Sequence, residues 1–433
     1  MSSRLVARTR PLERNLAYDP FELVGTDGSV FSSEALTLVG VGDAAAIVLE
    51  RGLRADVGAE VDRVLGAIEV DDAVRRPGTG ALAMGALPYD RGAAGVLRAP
   101  SLLYGCDDRG AWVTVIGEDP DVPDVCDAAW VEAAFPPIPD AQPPVELDSI
   151  TLAADPSARG HVDAVASAIR AIADGALAKV VLARCLTVTL SPVPNPGEVA
   201  GRLHRQEPSC TAFIQQAAHG HFVGASPELL VSRRGDAVVS HPLAGTVGLD
   251  GAAGSDAEAS GRLLRSAKDH EEHQLVVEQI AAVLSARCSE LTVPSEPTLV
   301  PLRSIAHLGT RLVGRLRHGA DGPPSVLSLV AALHPTAAVG GLPDAEAEAF
   351  ILATEVLPRD CWAGPVGWVD RAGDGDWVIG IRSALLGARS VRLWGGGGIV
   401  ADSDPKSELD ETTLKLRPVL EAIAPGAGEL LSS

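Results

Sequence analysis

Phe222-Val223-Gly224-Ala225-Ser226-Pro227-Glu228-Leu229-Leu230-Val231, followed past Arg234-Gly235-Asp236 by Ala237-Val238-Val239, decides the fold class. Apolar, β-branched runs on either side of a turn triplet are the pattern of antiparallel strands. Outward from there, Lys179-Val180-Val181-Leu182-Ala183-Arg184 starts a strand that continues through Leu190. Trp368 to Asp370, Trp377 to Leu386 and Ser390 to Trp394 read as a hairpin ladder turned at Gly373-Asp374-Gly375-Asp376. Helical periodicity marks His161 to Asp174 and a long stretch from about Asp256 to Arg287. Asp404-Pro405 opens a last helix with a capping acid and a proline at its first position. Strands grouped by antiparallel connections with helices outside them predict an α+β fold.

The N-terminal third, Phe21 to about Ala134, alternates short apolar runs such as Ala45 to Leu49 and Ala111 to Ile116 with Gly, Asp and Pro breaks, and holds one helix near Ala55 to Ile68. Phe135 to Pro144 is too rich in proline for a helix or an interior strand. Three regions result: a strand-rich 1–134, a proline-rich crossing at 135–149, and a region at 150–425 that carries the chemical motifs.

The chain has 433 residues, 46% of them hydrophobic, and a formal charge of -21 from 57 acidic and 36 basic side chains. Such a chain buries a substantial core. Its acidity argues against nucleic acid or an anionic membrane as partner, since both need basic patches. No apolar run reaches the length of a bilayer crossing. Met1 to Asn15 holds four arginines but no apolar stretch behind them, which argues against a secretory signal and predicts a frayed arm in preference to a transit peptide. Six scattered cysteines suggest neither a zinc site nor a disulfide framework, and the expected location is the cytoplasm.

Only four lysines occur: Lys179, Lys268, Lys406 and Lys415. Arginine has replaced lysine nearly everywhere, so a surviving lysine inside an apolar strand is informative. Lys179 must be paired, snorkelled or used as a base, a role closed to arginine. Asp269, Glu272 and His273 share one helical face, and Glu408, Glu411 and Lys415 share another. These are either solvated faces or oxygen ligands on two sides of a cleft, and all-carboxylate donors point to Mg2+. Leu393-Trp394-Gly395-Gly396-Gly397-Gly398-Ile399-Val400 reads as a glycine loop between strand and helix, able to offer backbone N–H groups to an anion. Arg382 needs a carboxylate partner, structural or substrate. Glu228 is either a turn residue or a proton donor with a raised pKa.

Taken in order, these segments resemble the chorismate-utilising enzymes, the family of isochorismate synthase, salicylate synthase and the large subunits of anthranilate and aminodeoxychorismate synthases. The resemblance runs from Lys179 to Leu416 and rests on Lys179 to Arg184, Phe222 to Glu228, Pro242-Leu243-Ala244-Gly245-Thr246, Lys268-Asp269-His270-Glu271-Glu272-His273, His334 to Gly341, Val378 to Arg382, Gly396 to Val400 and Glu408 to Thr412. It implies the anthranilate synthase component I-like fold, a β-sandwich core with helices packed outside, into which the N-terminal region is woven. Family members that add water carry a lysine where Lys179 stands. Ala244 stands where the aminodeoxychorismate branch has lysine, and Val48-Leu49-Glu50-Arg51 lacks the serine of the tryptophan feedback motif.

The expected activity is therefore that of an isochorismate synthase. Mg2+ would be held by Glu272 and Glu411 with Asp269 and Glu408 nearby. Lys179 would act as base and Glu228 as acid. Arg382, Gly396 and Lys415 would contact the enolpyruvyl carboxylate, Gly245 and Thr246 would shape the pocket of the C4 hydroxyl, and His307 and His334 would line the site or its wall. Ala338 resembles the pattern of synthases without lyase activity, which leaves salicylate synthase as the alternative. An aminating large subunit or a non-catalytic chorismate-binding protein is more remote. Trp362 departs from the expected Tyr or Phe. Chorismate is the expected partner, and a monomer without an obligatory protein partner is the expected state.

Overall fold

In this computed structural model, residues 4–432 are described except 26, 120–121, 125–126, 137–145, 250–252 and 320–321. Most of the proline-rich crossing expected at 135–149 thus lies outside the described residues.

Central strands buried on both faces, such as Lys179–Thr189 and Pro365–Asp370, and flanking strands of alternating burial, such as Gly95–Ala99, build two large antiparallel-rich sheets. Among the described residues one has thirteen strands and the other nine. The larger runs through Thr151–Asp155, Lys179–Thr189, Ser390–Ile399, Ser383–Leu386, Gly220–Ser226 and Thr211–Ala217, then continues through strands of the N-terminal region. The smaller places Ala237–His241, Leu229–Arg234, Gly375–Ile379 and Pro365–Asp370 side by side, and Leu82–Ala86, Gly95–Ala99 and Ala45–Leu49 extend it. The sheets pack face to face: one apolar cluster joins Phe31, Phe213 and Phe222 of the larger sheet to Met84, Trp368 and Trp377 of the smaller. The helices Ala158–Ala173 and Pro405–Ile423 cover the outer face of the strand pair Lys179–Thr189 and Ser390–Ile399. The fold is α+β, as the antiparallel grouping predicts.

Two readings of the sequence continue a strand where the chain turns a corner. Phe222 to Val231 is split at Pro227-Glu228, between Gly220–Ser226 of the larger sheet and Leu229–Arg234 of the smaller. Trp377 to Leu386 is split at Gly380-Ile381-Arg382, between Gly375–Ile379 of the smaller sheet and Ser383–Leu386 of the larger. The corners are neighbours: Ile379 N donates to Glu228 O at 3.1 Å, and Ala225 N donates to Arg382 O at 3.1 Å.

Three further expectations are corrected. The N-terminal arm is not frayed, because Leu5–Pro11 pairs with Gly110–Glu118 on one side and Glu69–Asp72 on the other. Val6, Ala7 and Thr9 are buried there, while Arg10 bonds Asp71 and Asp124. The long helix expected from Asp256 to Arg287 is two, Ala253–Leu263 and Ala267–Ser285. Ser266 caps the second by accepting from Asp269 N at 3.2 Å. Finally, the glycine run is not a loop but the end of the Ser390–Ile399 strand, in register with Lys179–Thr189.

Candidate active site

Glu228 and Arg382, one from each corner, face a small cavity of about 60 Å3. Gly245, Thr246, Glu272, His307, Ala338, Gly396 and Lys415 line it as well, with Trp362 and Val339. Nine of the sequence-predicted site residues therefore converge on one space. A larger cleft of about 480 Å3, under Tyr89, Leu352 and Arg359, gathers none of them.

Glu228 is 3% exposed, and burial lifts its carboxyl from 4.5 to about 7, against the opposing pull of Lys179 and a hydrogen bond from Leu243 N. A carboxyl in that range exchanges its proton near neutrality. Lys179 begins the Lys179–Thr189 strand and is fully buried, with Nζ 3.1 Å from Glu272 Oε1. The glycines of the adjoining Ser390–Ile399 strand leave room for this pair. A Cβ on Gly398 would overlap Glu272 Oε1 and lie 2.8 Å from Lys179 Cε, and one on Gly397 would lie 3.1 Å from Glu408 Oε2. The glycine run makes room for the ionisable cluster; it does not cradle an anion as a free loop.

Three of the four lysines each meet a glutamate here. Besides Lys179 and Glu272, Lys268 Nζ donates to Glu408 Oε1 at 2.6 Å, and Lys415 Nζ donates to Glu411 Oε1 at 2.5 Å and to Gly396 O at 2.9 Å. Lys406, the fourth, is exposed. Burial raises the Glu411 carboxyl, but Lys415, Lys268 and the Thr246 hydroxyl outweigh it and hold the carboxyl below its ordinary value. Burial pushes Asp269 up, and the negative charge of Glu272 adds to the rise. Asp269 packs against the backbone of Gly245, where a Cβ would come within 3.0 Å of its own Cβ. Among the described residues no three metal-ligating side chains form a closed cage. The donors are nonetheless hard oxygens only, and Mg2+ takes one or two carboxylates and fills its shell with water and substrate oxygens. The donor set fits that ion.

Arg382 adopts φ +51, a left-handed conformation that a side chain rarely takes, at its corner. Its Nη2 donates to His307 Nε2 at 2.9 Å, while His307 Nδ1 donates to Gly245 O at 2.8 Å. An arginine cannot accept, so the ring is neutral with its proton on Nδ1. Burial and the nearby charges of Arg382 and Lys415 keep it so, well below its ordinary pKa. His334 does not line the cavity. It stacks edge-on against Tyr89, and its Nε2 lies 2.9 Å from Tyr89 O, a wall position. Trp362 lies over Gly396, where a Cβ would meet its ring at 2.8 Å. Sequence reasoning gave Lys268 no role, although the scarcity of lysine pointed to it as much as to Lys179.

The family described as chorismate binding enzyme matches residues 28–424. The isochorismate synthase of Bacillus subtilis (strain 168) is 40% identical over 276 residues, 62% of this chain and 68% of that protein. The menaquinone-specific isochorismate synthase of Escherichia coli superimposes with a TM-score of 0.79 at 24% identity, covering 96% of this chain and 95% of its own. Anthranilate synthase component I of Streptococcus pneumoniae superimposes with a TM-score of 0.68 at 19% identity, over 97% of this chain and 92% of its own, a likeness of fold.

Proposed function

The chain belongs to the family of chorismate-binding enzymes, and from that premise we propose that it is an isochorismate synthase, interconverting chorismate and isochorismate. The observation that carries this reading is a buried carboxyl on the cavity, raised to about 7, with a fully buried lysine behind the cavity wall near enough for its charge to act on that carboxyl.

The roles follow from the chemistry. Lys179 takes a proton from the water whose oxygen bonds to C2 of the ring. The ring double bonds shift, the bond from C4 to its hydroxyl breaks, and protonated Glu228 donates to that hydroxyl so that it departs as water. One water enters and one leaves, so the step balances. An acid and a base with separated environments are the general means by which one site does both at neutral pH. Arg382, fixed by His307, and Lys415 beside Gly396 bind the enolpyruvyl carboxylate, while Gly245 and Thr246 bound the pocket of the leaving hydroxyl. Glu272 and Glu411, with Asp269 and Glu408 beside them, would hold Mg2+, which when bound supplies positive charge for the ring carboxylate. The apolar Ala338 and Val339 offer no polar group to promote loss of pyruvate.

The test is incubation of the purified chain with chorismate, with and without Mg2+, followed by chromatographic resolution of the products. Isochorismate approaching a fixed ratio with chorismate, without pyruvate release, is the expected result. Salicylate with equimolar pyruvate would move the chain to the lyase branch, aminated product with ammonia to the anthranilate branch. No turnover would sink the proposal.

A further inference from the structure

One buried cation stands between the small cavity and the larger cleft. Arg359 lines the cleft beside Tyr89 and Glu355. It is buried, and its guanidinium lies 4.4 Å from the centre of the Tyr89 ring and 5.2 Å from that of Trp362. Nε donates to Glu355 Oε2 at 2.8 Å and Nη2 to Glu355 Oε1 at 2.6 Å, a bidentate pair. The other bonds reach toward the small cavity: Nη1 donates to Val339 O at 2.7 Å, and Nη2 to Val181 O at 2.8 Å. Val181, Val339 and Trp362 all line that cavity, whereas Arg359 does not.

The topology explains why a side chain does this. Lys179–Thr189 pairs with Ser390–Ile399 along one edge from Val180 onward. On the other edge Gly341–Leu342 covers only Lys179 and Val180, and Thr151–Asp155 begins at Cys185. Among the described residues no strand therefore covers Val181 to Arg184 on that edge. The Glu355–Arg359 pair fills the gap: Ala183 N donates to Glu355 Oε1 at 2.9 Å, and Arg359 takes Val181 O. Buried backbone groups need such partners. A lysine could not replace the arginine, since one ammonium on a flexible stem lacks the planar fork that meets a carboxylate and two carbonyls together. Arg359 thus ties three parts of the cavity wall: the strand that begins at Lys179, the turn that carries Ala338 and Val339, and the Trp362 ring over Gly396.

We propose that Arg359 is a positioning residue for the isochorismate synthase reaction, fixing the substrate ring relative to Lys179 and Glu228 without touching substrate itself. The inference rests on the function proposed above. Arg382 and Lys415, which bind the enolpyruvyl carboxylate in that reading, are held independently, by His307 and by Glu411 with Gly396. Loosening the wall should therefore leave chorismate bound but poorly aimed, and a misplacement of about 1 Å costs about 10² in rate.

Two variants test this, each assayed well below its melting temperature. Arg359→Lys keeps a charge beside Glu355 and loses the fork; Arg359→Met/Glu355→Gln removes both charges together, so that neither is left buried alone. In both, kcat for isochorismate formation should fall by about 10–10²-fold, while KM and the chorismate Kd from calorimetry stay within about threefold of wild type. A merely structural residue would lower the melting temperature and leave kcat per binding-competent molecule unchanged, and that result overturns the proposal. An equal loss of kcat and of chorismate affinity overturns it as well. A wild-type control that turns over no chorismate would instead overturn the functional reading beneath it. A crystal structure of the wild type with chorismate needs no variant to fold: Arg359 bonded to Val181 O and Val339 O and out of reach of the substrate is expected, and a direct bond to the substrate refutes the positioning role.

Discussion

Replacing Glu228 by glutamine separates the acid's chemical role from its energetic cost. The folded-state pKa is raised from 4.5 to about 7 by burial. The folded protein therefore holds this proton more tightly than the unfolded chain, and the associated stability is fully present below pH 4.5 and is lost as pH rises to about 7. At about 1.4 kcal/mol per unit, the ionised Glu228 destabilises the fold by on the order of 3 kcal/mol above that range. The amide introduced by Glu228→Gln cannot ionise and escapes this penalty. With 433 residues the unfolding entropy is about 0.9 kcal/mol/K, so the relative gain is roughly 3 °C in melting temperature. Glu228→Gln should match the wild type near pH 4.5, apart from a constant offset, and pull ahead progressively up to about pH 8. Isochorismate formation should meanwhile fall by about 10²–10⁴. Paired thermal scans across that range at one scan rate are the assay. A difference in melting temperature that does not change with pH would refute the buried-acid argument, whatever the activity does.

The other predictions concern its neighbours. Wild-type turnover should decline as pH rises through about 7, because Glu228 must carry its proton to act as acid; a rate that climbs through this range in a pH profile assigns the acid elsewhere. Lys179→Met should lose isochorismate formation by at least about 10² while still binding chorismate in calorimetry, and wild-type rates in this variant would remove Lys179 from the mechanism. Glu272→Gln should shift the Mg2+ activation curve to higher concentration and lower turnover together; an unchanged curve excludes Glu272 as a ligand. Lys268→Met leaves Glu408, 1% exposed, without its cation, a loss on the order of 2–3 kcal/mol that Lys268→Met/Glu408→Gln should largely restore in denaturant titrations. Failure of the double variant to recover means the pair is not coupled.

Much of the site was legible because its residue types are destabilising anywhere else. A lysine opening an apolar strand and carboxylates spaced along two helices are tolerated only in partnership, and Lys179, Glu272 and Glu411 all find partners within 3.1 Å. What the pattern conceals is where strands stop. Gly380-Ile381-Arg382 has the apolar character of the strand before it, and hydropathy does not report that the neighbouring sheet has changed. Ser226-Pro227 carries such a signal, since proline has no N–H for an interior ladder, but a turn by itself does not reveal that the chain passes from one sheet to the other. Ser266 is likewise a helix start lodged in a periodic stretch. The glycine run misleads because glycine marks both loops and crowded strands; only the positions of Glu272, Glu408 and Trp362 distinguish them.

The corners explain why this fold can make such an acid. Within a sheet, successive side chains point to opposite faces, one into packed core and the next outward, and neither position isolates a carboxyl beside a small polar cavity. A residue at the passage between two stacked sheets belongs to neither ladder. Glu228 occupies one passage, so its backbone still bonds to Ile379 while its side chain is cut off from water. Arg382 occupies the other and adopts a left-handed backbone that an ordinary strand position would not impose. The desolvation that raises Glu228 is thus a product of the topology, with Lys179 and Arg382 limiting the rise. Moving the carboxylate one residue along, to position 229, would put it into the ladder opposite Val378 and His241. That exchange would forfeit the acid even though the cavity and its arginine remained.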